Sequence, residues 1–419
     1  MQSMDELKAS TGSEAERVSR IEGIKSASEN PMGVPRRPQE AAVEPRLLVW
    51  ARESAGKDVE EVAEKLRVSR ETVERWESGR ERPGLAQLER LAESVYKRPL
   101  AVFFLPEPPT EPPLPRDFRI LPSGKKLPLS PRTRLAIRQA QRIRRLTRDM
   151  SEDLGHDIAV SVGEAHLSDK PETAAAEARR TLGVDDHVQS AWQDDDEALR
   201  AWTKAVEKRG VLVFQLSFPM EDARGFSLVD REPPAIVLNR RDSPRGRVFS
   251  LLHEYCHLLL NDGGICRMDE REYRHDEDRV EKFCNRFAAE VLVPRAFLLG
   301  HPLVSPRSTP GDWREDVLAK LASHFKVSKE VALRRLLTFG LTTQRFYEEK
   351  REEWKKKVRK PGGRQNSPKR CVQERGVPFV SLVLESQRRD RITYSDIADY
   401  LGIRLKHLPK IEKLVSEGV

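Results

Sequence analysis

The chain has 419 residues, enough for two or three domains, and a formal net charge of +8, a balance that fits an acidic partner such as nucleic acid without demonstrating one. No apolar run approaches the ~18 residues of a membrane span, and the start lacks a signal-type apolar core, so the expected class is a soluble cytoplasmic protein with no membrane partner. Four cysteines, at 256, 266, 284 and 371, show no framework spacing, which speaks against a disulfide scaffold and for a reduced compartment.

Residues 1–43 are polar, with a turn-rich basic patch at 32–38, and read as a disordered segment of no legible function. Residues 44–105 differ. Leu47, Leu48, Trp50 and Ala51 begin an amphipathic helix that ends near Gly56. Asp58 is an N-cap with Glu61 in capping-box position, and Val59, Val62, Ala63 and Leu66 give a second helix its inner face. Arg67 and Val68 make a turn. Ser69 caps a third helix whose Val73 and Trp76 face inward and which Gly79 ends. Leu85, Leu88, Leu91 and Ala92 mark a fourth helix, and Pro99 opens a short fifth.

Two short helices joined by a tight turn, the second exposing polar residues, make a helix-turn-helix. Residues 62–79, with Trp76, Glu77, Gly79 and Pro83 as a specific ending, resemble the XRE (phage-repressor) DNA-binding family. That resemblance implies double-stranded DNA as partner, with the first turn of the third helix at base edges. By position the readers are Arg70, Glu71 and Arg75, with Thr72 on a phosphate or a thymine methyl. Such modules read two half-sites as homodimers, although no dimer helix is evident here. Glu71, Glu74 and Glu77 repel phosphate, so a third helix that binds protein stays open as the rival.

Residues 106–131 carry prolines at 106, 108, 109, 112, 113, 115, 122, 128 and 131 and read as a semi-extended linker. Phe118, within Arg116-Asp117-Phe118-Arg119, is expected to anchor on the domain that follows. That domain is set at 132–345. It opens with an arginine-rich helix at 131–150, read as a solvated basic face with Leu135, Ile143 and Leu146 inward, ahead of the rival reading as a phosphate-tracking face. Helices follow at 171–183 and 194–209, where Asp194, Asp195 and Asp196 suit the positive helix end. The period then changes, and 211–216, 225–229 and 235–239 read as strands of a small sheet whose edge can hold a peptide.

Residues 250–260 contain His253-Glu254-x-x-His257 in an apolar run of helical length. On a helix the two histidines lie four apart on one face and can share a divalent ion. Glu254 sits roughly 100° further round and reaches a water rather than the ion. A catalytic zinc takes three protein ligands. The next helix supplies Glu281, one turn before Asn285, with Glu290 as the second choice. Together with Glu281-x-x-Cys284-Asn285-x-Phe287-Ala288-Ala289-Glu290-x-Leu292-x-Pro294, the motif resembles the ImmA/IrrE family of metallo-endopeptidases over roughly 170–340.

The resemblance implies a zincin-like α+β domain with Zn2+ on His253, His257 and Glu281, Glu254 as general base, and a transcriptional repressor as protein substrate. Cys256 and Cys284 stand where that family more often has small apolar residues, and both read as small buried side chains. Residues 261–276 read as a polar loop, with Tyr273 and His275 nearest to steady an oxyanion. Further helices after Asp312 and Ser328 close the domain. Residues 346–376 read as a basic helix and linker, and 377–419 as a helical tail that weakly repeats 61–68 at 396–403. Pro409 is expected to break its last helix.

The expected fold is therefore multidomain and mainly α: an all-α helix-turn-helix domain, an α+β zincin-like metallopeptidase domain with a small sheet, and a helical C-terminal tail. The expected function is a DNA-binding zinc metallo-endopeptidase that regulates transcription by cleaving a repressor. The alternative is an XRE-type regulator or antitoxin whose peptidase-like domain senses or binds a partner without proteolysis.

Overall fold

The computed structural model describes residues 40–111, 116–117, 129–229, 232–261, 264–266, 276–307, 309–355 and 367–417. Phe118, Tyr273, His275 and residues 1–39 lie outside them. The chain divides into two compact units, one of Val59–Glu107 with the residues up to Val49, the other of Pro108–Val419 with Trp50–Asp58.

The first unit carries helices α1 (Pro45–Ser54), α2 (Val59–Leu66), α3 (Arg70–Glu77) and α4 (Leu85–Glu89). α4 runs on into a wider π-type turn, Arg90–Tyr96, and a 3-10 turn follows at Leu100–Phe104. Val62, Ala63 and Leu66 of α2, Val73 and Trp76 of α3, and Leu88 and Leu91 are buried, which is the inner face that the apolar spacing called for. The Ser69 hydroxyl accepts from the Thr72 N–H at 3.2 Å, satisfying one free donor of the first turn of α3. Arg67 turns the chain between α2 and α3 at φ 60°, a left-handed conformation that costs a side-chain-bearing residue more than glycine. Residues 40–43 are not a free tail, as expected of 1–43. Ala41 and Val43 are buried, and the Ala41 N–H donates to the Pro83 carbonyl at 2.9 Å.

The second unit opens with a two-residue strand, β1 (Arg116–Asp117), then α5 (Pro131–Leu154), α6 (Pro171–Leu182), α7 (Asp186–Ala191) and α8 (Asp195–Glu207). Strands β2 (Leu212–Leu216), β3 (Gly225–Leu228) and β4 (Ala235–Asn239) lead into α9 (Pro244–Leu259). β5 (Gly264–Cys266) precedes α10 (Asp276–Leu292), and α11 (Arg295–Gly300), α12 (Glu315–His324), α13 (Lys329–Thr338) and α14 (Gln344–Lys355) follow. The tail adds α15 (Ser367–Arg375), α16 (Val377–Arg388), α17 (Tyr394–Leu401) and α18 (Leu408–Ser416).

The sheet order is β1-β5-β3-β4-β2, with β2 parallel to β4, β3 antiparallel to β4 and β5, and β1 parallel to β5. Two of these strands were not foreseen. β1 comes from the proline-rich linker and β5 from the stretch read as a polar loop. Both are too short to show a period of two, and pairing with the sheet is what makes them strands.

β2 and β4 are buried along their whole length. Val213, Ile236 and Leu238 join the core that contains α9 and α10, whereas Leu212, Phe214, Ala235 and Val237 join a second core with α5 and the tail helices. Alternate residues feed opposite faces, so a sheet covered on both sides reads as unbroken apolar runs. The tail covers one sheet face through Phe379, Val380 and Val383 of α16, Ile397 of α17 and Ile411 of α18.

α5 corrects the reading of its basic face. Ile143 is buried and Leu146 packs against the same core, as expected, but Leu135 is half-buried, and Ala136, Ile137 and Ala140 complete the inner stripe. Arg144 is fully buried, donating to the carbonyls of Pro233 at 2.6 Å and Glu232 at 3.0 Å. Arg142 pairs with Asp399 and Arg148 with Glu232, each at 2.6 Å. Pro409 does not break α18 but stands in its first turn, where the missing N–H costs no helical hydrogen bond. No described helix is long and apolar enough to cross a membrane.

Candidate metal centre and nucleic-acid interface

α9 begins with Ser243, whose hydroxyl accepts from the Gly246 N–H at 3.1 Å, and with Pro244 in its first turn. The helix is buried on nearly every side, from Val248 through Leu259. His253, Glu254 and His257 are each 0% exposed. Burying ionisable groups is costly unless they are paired or hold a metal.

The two imidazoles tilt against each other with ring centroids 5.0 Å apart and Nε2 atoms 3.2 Å apart. Glu281 of α10 closes the triangle. One of its carboxylate oxygens lies 3.3 Å from His257 Nε2 and the other 3.4 Å from His253 Nε2. Donors held about 2.0–2.1 Å from one ion at tetrahedral angles stand about 3.3 Å apart. Each of these three separations matches that spacing, and His253, His257 and Glu281 form a buried group of potential metal ligands. Among the described residues, the buried carboxylates face only a few groups, the two imidazoles at Glu281 and Ser227 at Glu254. Two imidazoles and a carboxylate that converge in a buried space suit a cation, so the residues fit a divalent metal.

Neighbouring groups set the electronics. His253 Nδ1 faces the Asn285 side-chain oxygen at 3.1 Å, one turn beyond Glu281. A proton on Nδ1 donated there leaves the Nε2 lone pair pointing at the cluster. Burial works against ionisation of Glu281, but the His253 and His257 imidazoles outweigh it and hold the carboxyl well below the usual carboxylate range. Burial pushes the Glu254 carboxyl up, against the pull of both imidazoles. The two acids are thus driven apart, one toward a permanent charge and one toward exchanging a proton. Cys256 and Cys284 are buried free thiols, as expected.

The placement of α10 rests on its C-terminal carbonyls, which no helical donor reaches. Arg179 donates to Val291 O at 2.6 Å, Gln189 to Leu292 O at 2.9 Å, and Arg335 to Val293 O at 3.0 Å. Glu290, the second choice for third ligand, is not in the cluster. It pairs with the buried Arg335 and accepts from the Arg295 N–H at 3.0 Å.

Two residues beside Glu254 went unremarked in the sequence. Ser227 of β3 lies next to its carboxyl. A Cβ at Gly225 would sit 3.0 Å from Val237 O and 3.4 Å from the Glu254 side chain. A glycine inside a strand is the signal that marks such a close approach.

In the first unit, the four expected DNA readers lie in the first turns of α3. Arg70 donates to Glu74 at 2.7 Å and also pairs with Glu60. Arg75 donates to Thr72 Oγ1 at 3.1 Å and pairs with Glu81 at 2.9 Å. The Glu71 carboxyl is held below its ordinary range, first by its own backbone N–H and then by Ser69.

The chain thus places a helix-turn-helix ahead of an α+β unit whose buried His253, His257 and Glu281 could hold a metal ion. Residues 206–337 match the IrrE N-terminal-like domain of the M78 peptidases, and residues 46–96 match a helix-turn-helix domain. The chain therefore carries an N-terminal helix-turn-helix domain, which points to DNA binding, followed by an ImmA/IrrE-type peptidase domain. No curated protein matches the chain.

Proposed function

We propose that this protein is a DNA-binding, zinc-dependent endopeptidase that regulates transcription by cleaving a repressor protein. In this reading His253, His257 and Glu281 hold the zinc, and Glu254 is the general base. The observation that carries it is the 3.2–3.4 Å triangle of Nε2 and carboxylate atoms, with the buried Glu254 next to His253 on the same helix. Two imidazoles and one carboxylate suit zinc.

When bound there, the metal supplies Lewis acidity, acidifying a water and polarising the scissile carbonyl. The chain's own groups do the rest. The raised affinity of Glu254 for protons lets it take the proton of the attacking water and pass it to the leaving amine. Asn285 fixes the His253 ring, and Gly225 leaves Glu254 room to move between the two tasks. Arg70, Glu71, Thr72 and Arg75 read base edges as half of a homodimer, exchanging their internal partners for DNA. A DNA module on the same chain raises the local concentration of peptidase around a repressor on its operator.

Glu254→Gln is the test. Purified with zinc, the variant is expected to retain metal and lose cleavage of a repressor encoded nearby. Undiminished cleavage by this variant removes Glu254 from the mechanism. Metal-free protein that cleaves at full rate removes the proposal.

A further inference from the structure

A cavity of about 110 Å3 lies between α8, β2 and the tail helices α15, α16 and α18. One face of α8 lines it, with Leu199, Thr203 and Glu207 at successive turns. Leu199, Val213, Val372 and Leu414 give it apolar walls.

Part of its lining is polar and unsatisfied. Glu207 Oε1, Thr203 Oγ1 and Gln373 Oε1 are buried atoms with no hydrogen-bond partner, and all three residues line the cavity. The Glu207 carboxyl is met by the backbone N–H of Val377. The floor is brought close by Gly376 at φ 78°, where a Cβ would stand 2.8 Å from Val213 O and 3.6 Å from Glu207 Oε1. Burial pushes the Glu207 carboxyl up to about 8. Arg200, Lys204 and Lys369 line the same cavity, with Asp196 as the one further acid.

Oxygen acceptors and cations in one lining select opposite groups on one ligand. N–H donors of an ammonium satisfy the acceptors, and a carboxylate answers the lysines and the arginine. We infer that this cavity binds a small zwitterion of amino-acid size, its ammonium on Glu207, Thr203 and Gln373 and its carboxylate toward Arg200, Lys204 and Lys369. The ligand joins the tail helices to α8, which packs on the His253 helix. The inference stands on its own residues and does not need the peptidase reading.

The probe is 5-aminopentanoate, titrated into the full-length protein by calorimetry and thermal shift. 1-Aminobutane carries the ammonium alone and pentanoate the carboxylate alone. 5-Aminopentanoate is expected to bind and raise the melting temperature, with each half-probe at least tenfold weaker. Glu207→Gln, which keeps the shape and removes the ionisable carboxyl that an ammonium would turn into a carboxylate, is expected to weaken binding at least tenfold. The surface pair Lys204→Ala/Lys369→Ala provides a second handle should the buried variant fail to fold, with an expected loss of threefold or more. No binding of 5-aminopentanoate overturns the inference. So does equal binding of 1-aminobutane, or full affinity in both variants.

Discussion

Replacing Glu290 with alanine removes the carboxylate that faces Arg335, and the consequence can be worked out from their surroundings. Arg335 is 3% exposed and keeps the Val293 carbonyl, at 3.0 Å, as its remaining hydrogen-bond acceptor among the described residues. Stripping one member from a buried pair leaves an uncompensated charge and costs about 3–5 kcal/mol. The Arg295 N–H also loses its acceptor, a further ~1 kcal/mol. A combined loss of about 4–6 kcal/mol lowers the melting temperature of a unit of this size by roughly 6–9 °C, from about 2.1 cal/mol/K of unfolding entropy per residue. Metal content should not change, because Glu290 points away from the histidines. Glu281→Gln should do the reverse, losing metal with the smaller structural penalty. Calorimetry paired with metal analysis of both variants decides the matter. A Glu290→Ala protein that melts within 2 °C of wild type, or that loses its metal, refutes the division of labour between the two carboxylates.

Asn285→Ala frees the His253 ring and should weaken zinc about 10–100-fold, read by competition with a chelator; unchanged affinity shows that packing alone orients the ring. Arg75→Ala should reduce operator affinity by about 1–3 kcal/mol and relax selectivity at one base pair, measured by binding-site selection and titration at fixed salt; a uniform loss over all sequences makes Arg75 a phosphate contact instead. The Glu207 carboxyl titrates at about 8 in the folded chain against an ordinary 4.5, so folding holds its proton between those values. Its stabilising share is complete below pH 4.5 and lost as pH rises through 8. Wild-type protein should therefore lose more melting temperature between pH 5 and 9 than Glu207→Gln, and equal slopes contradict the burial of this acid.

Much of the molecule was readable from local pattern. Ser69, Val73, Trp76 and Gly79 announce a capped, one-sided helix because capping and helical spacing act over a few residues. His253 and His257 must share a face on any helix, whatever surrounds it. The apolar runs of β2 and β4 announced strands. Phe118, Tyr273 and His275 fall outside the described residues, so their expected roles rest on sequence alone.

What sequence could not decide is long-range. Glu281 and Glu290 are nine residues apart, so they point to opposite sides of α10, from about 100° of turn per residue. Spacing alone does not say which side meets α9. Packing does, through Arg179, Gln189 and Arg335, which grip the last carbonyls of α10 from three other helices and fix its rotation. The same holds for Arg144, drawn inward by the carbonyls of Glu232 and Pro233, and for β1 and β5, which are strands only because a sheet edge receives them. Helical pitch and capping are properties of neighbours along the chain. A three-sided donor cage is a property of helices brought together by a shared core, and only the folded chain specifies it.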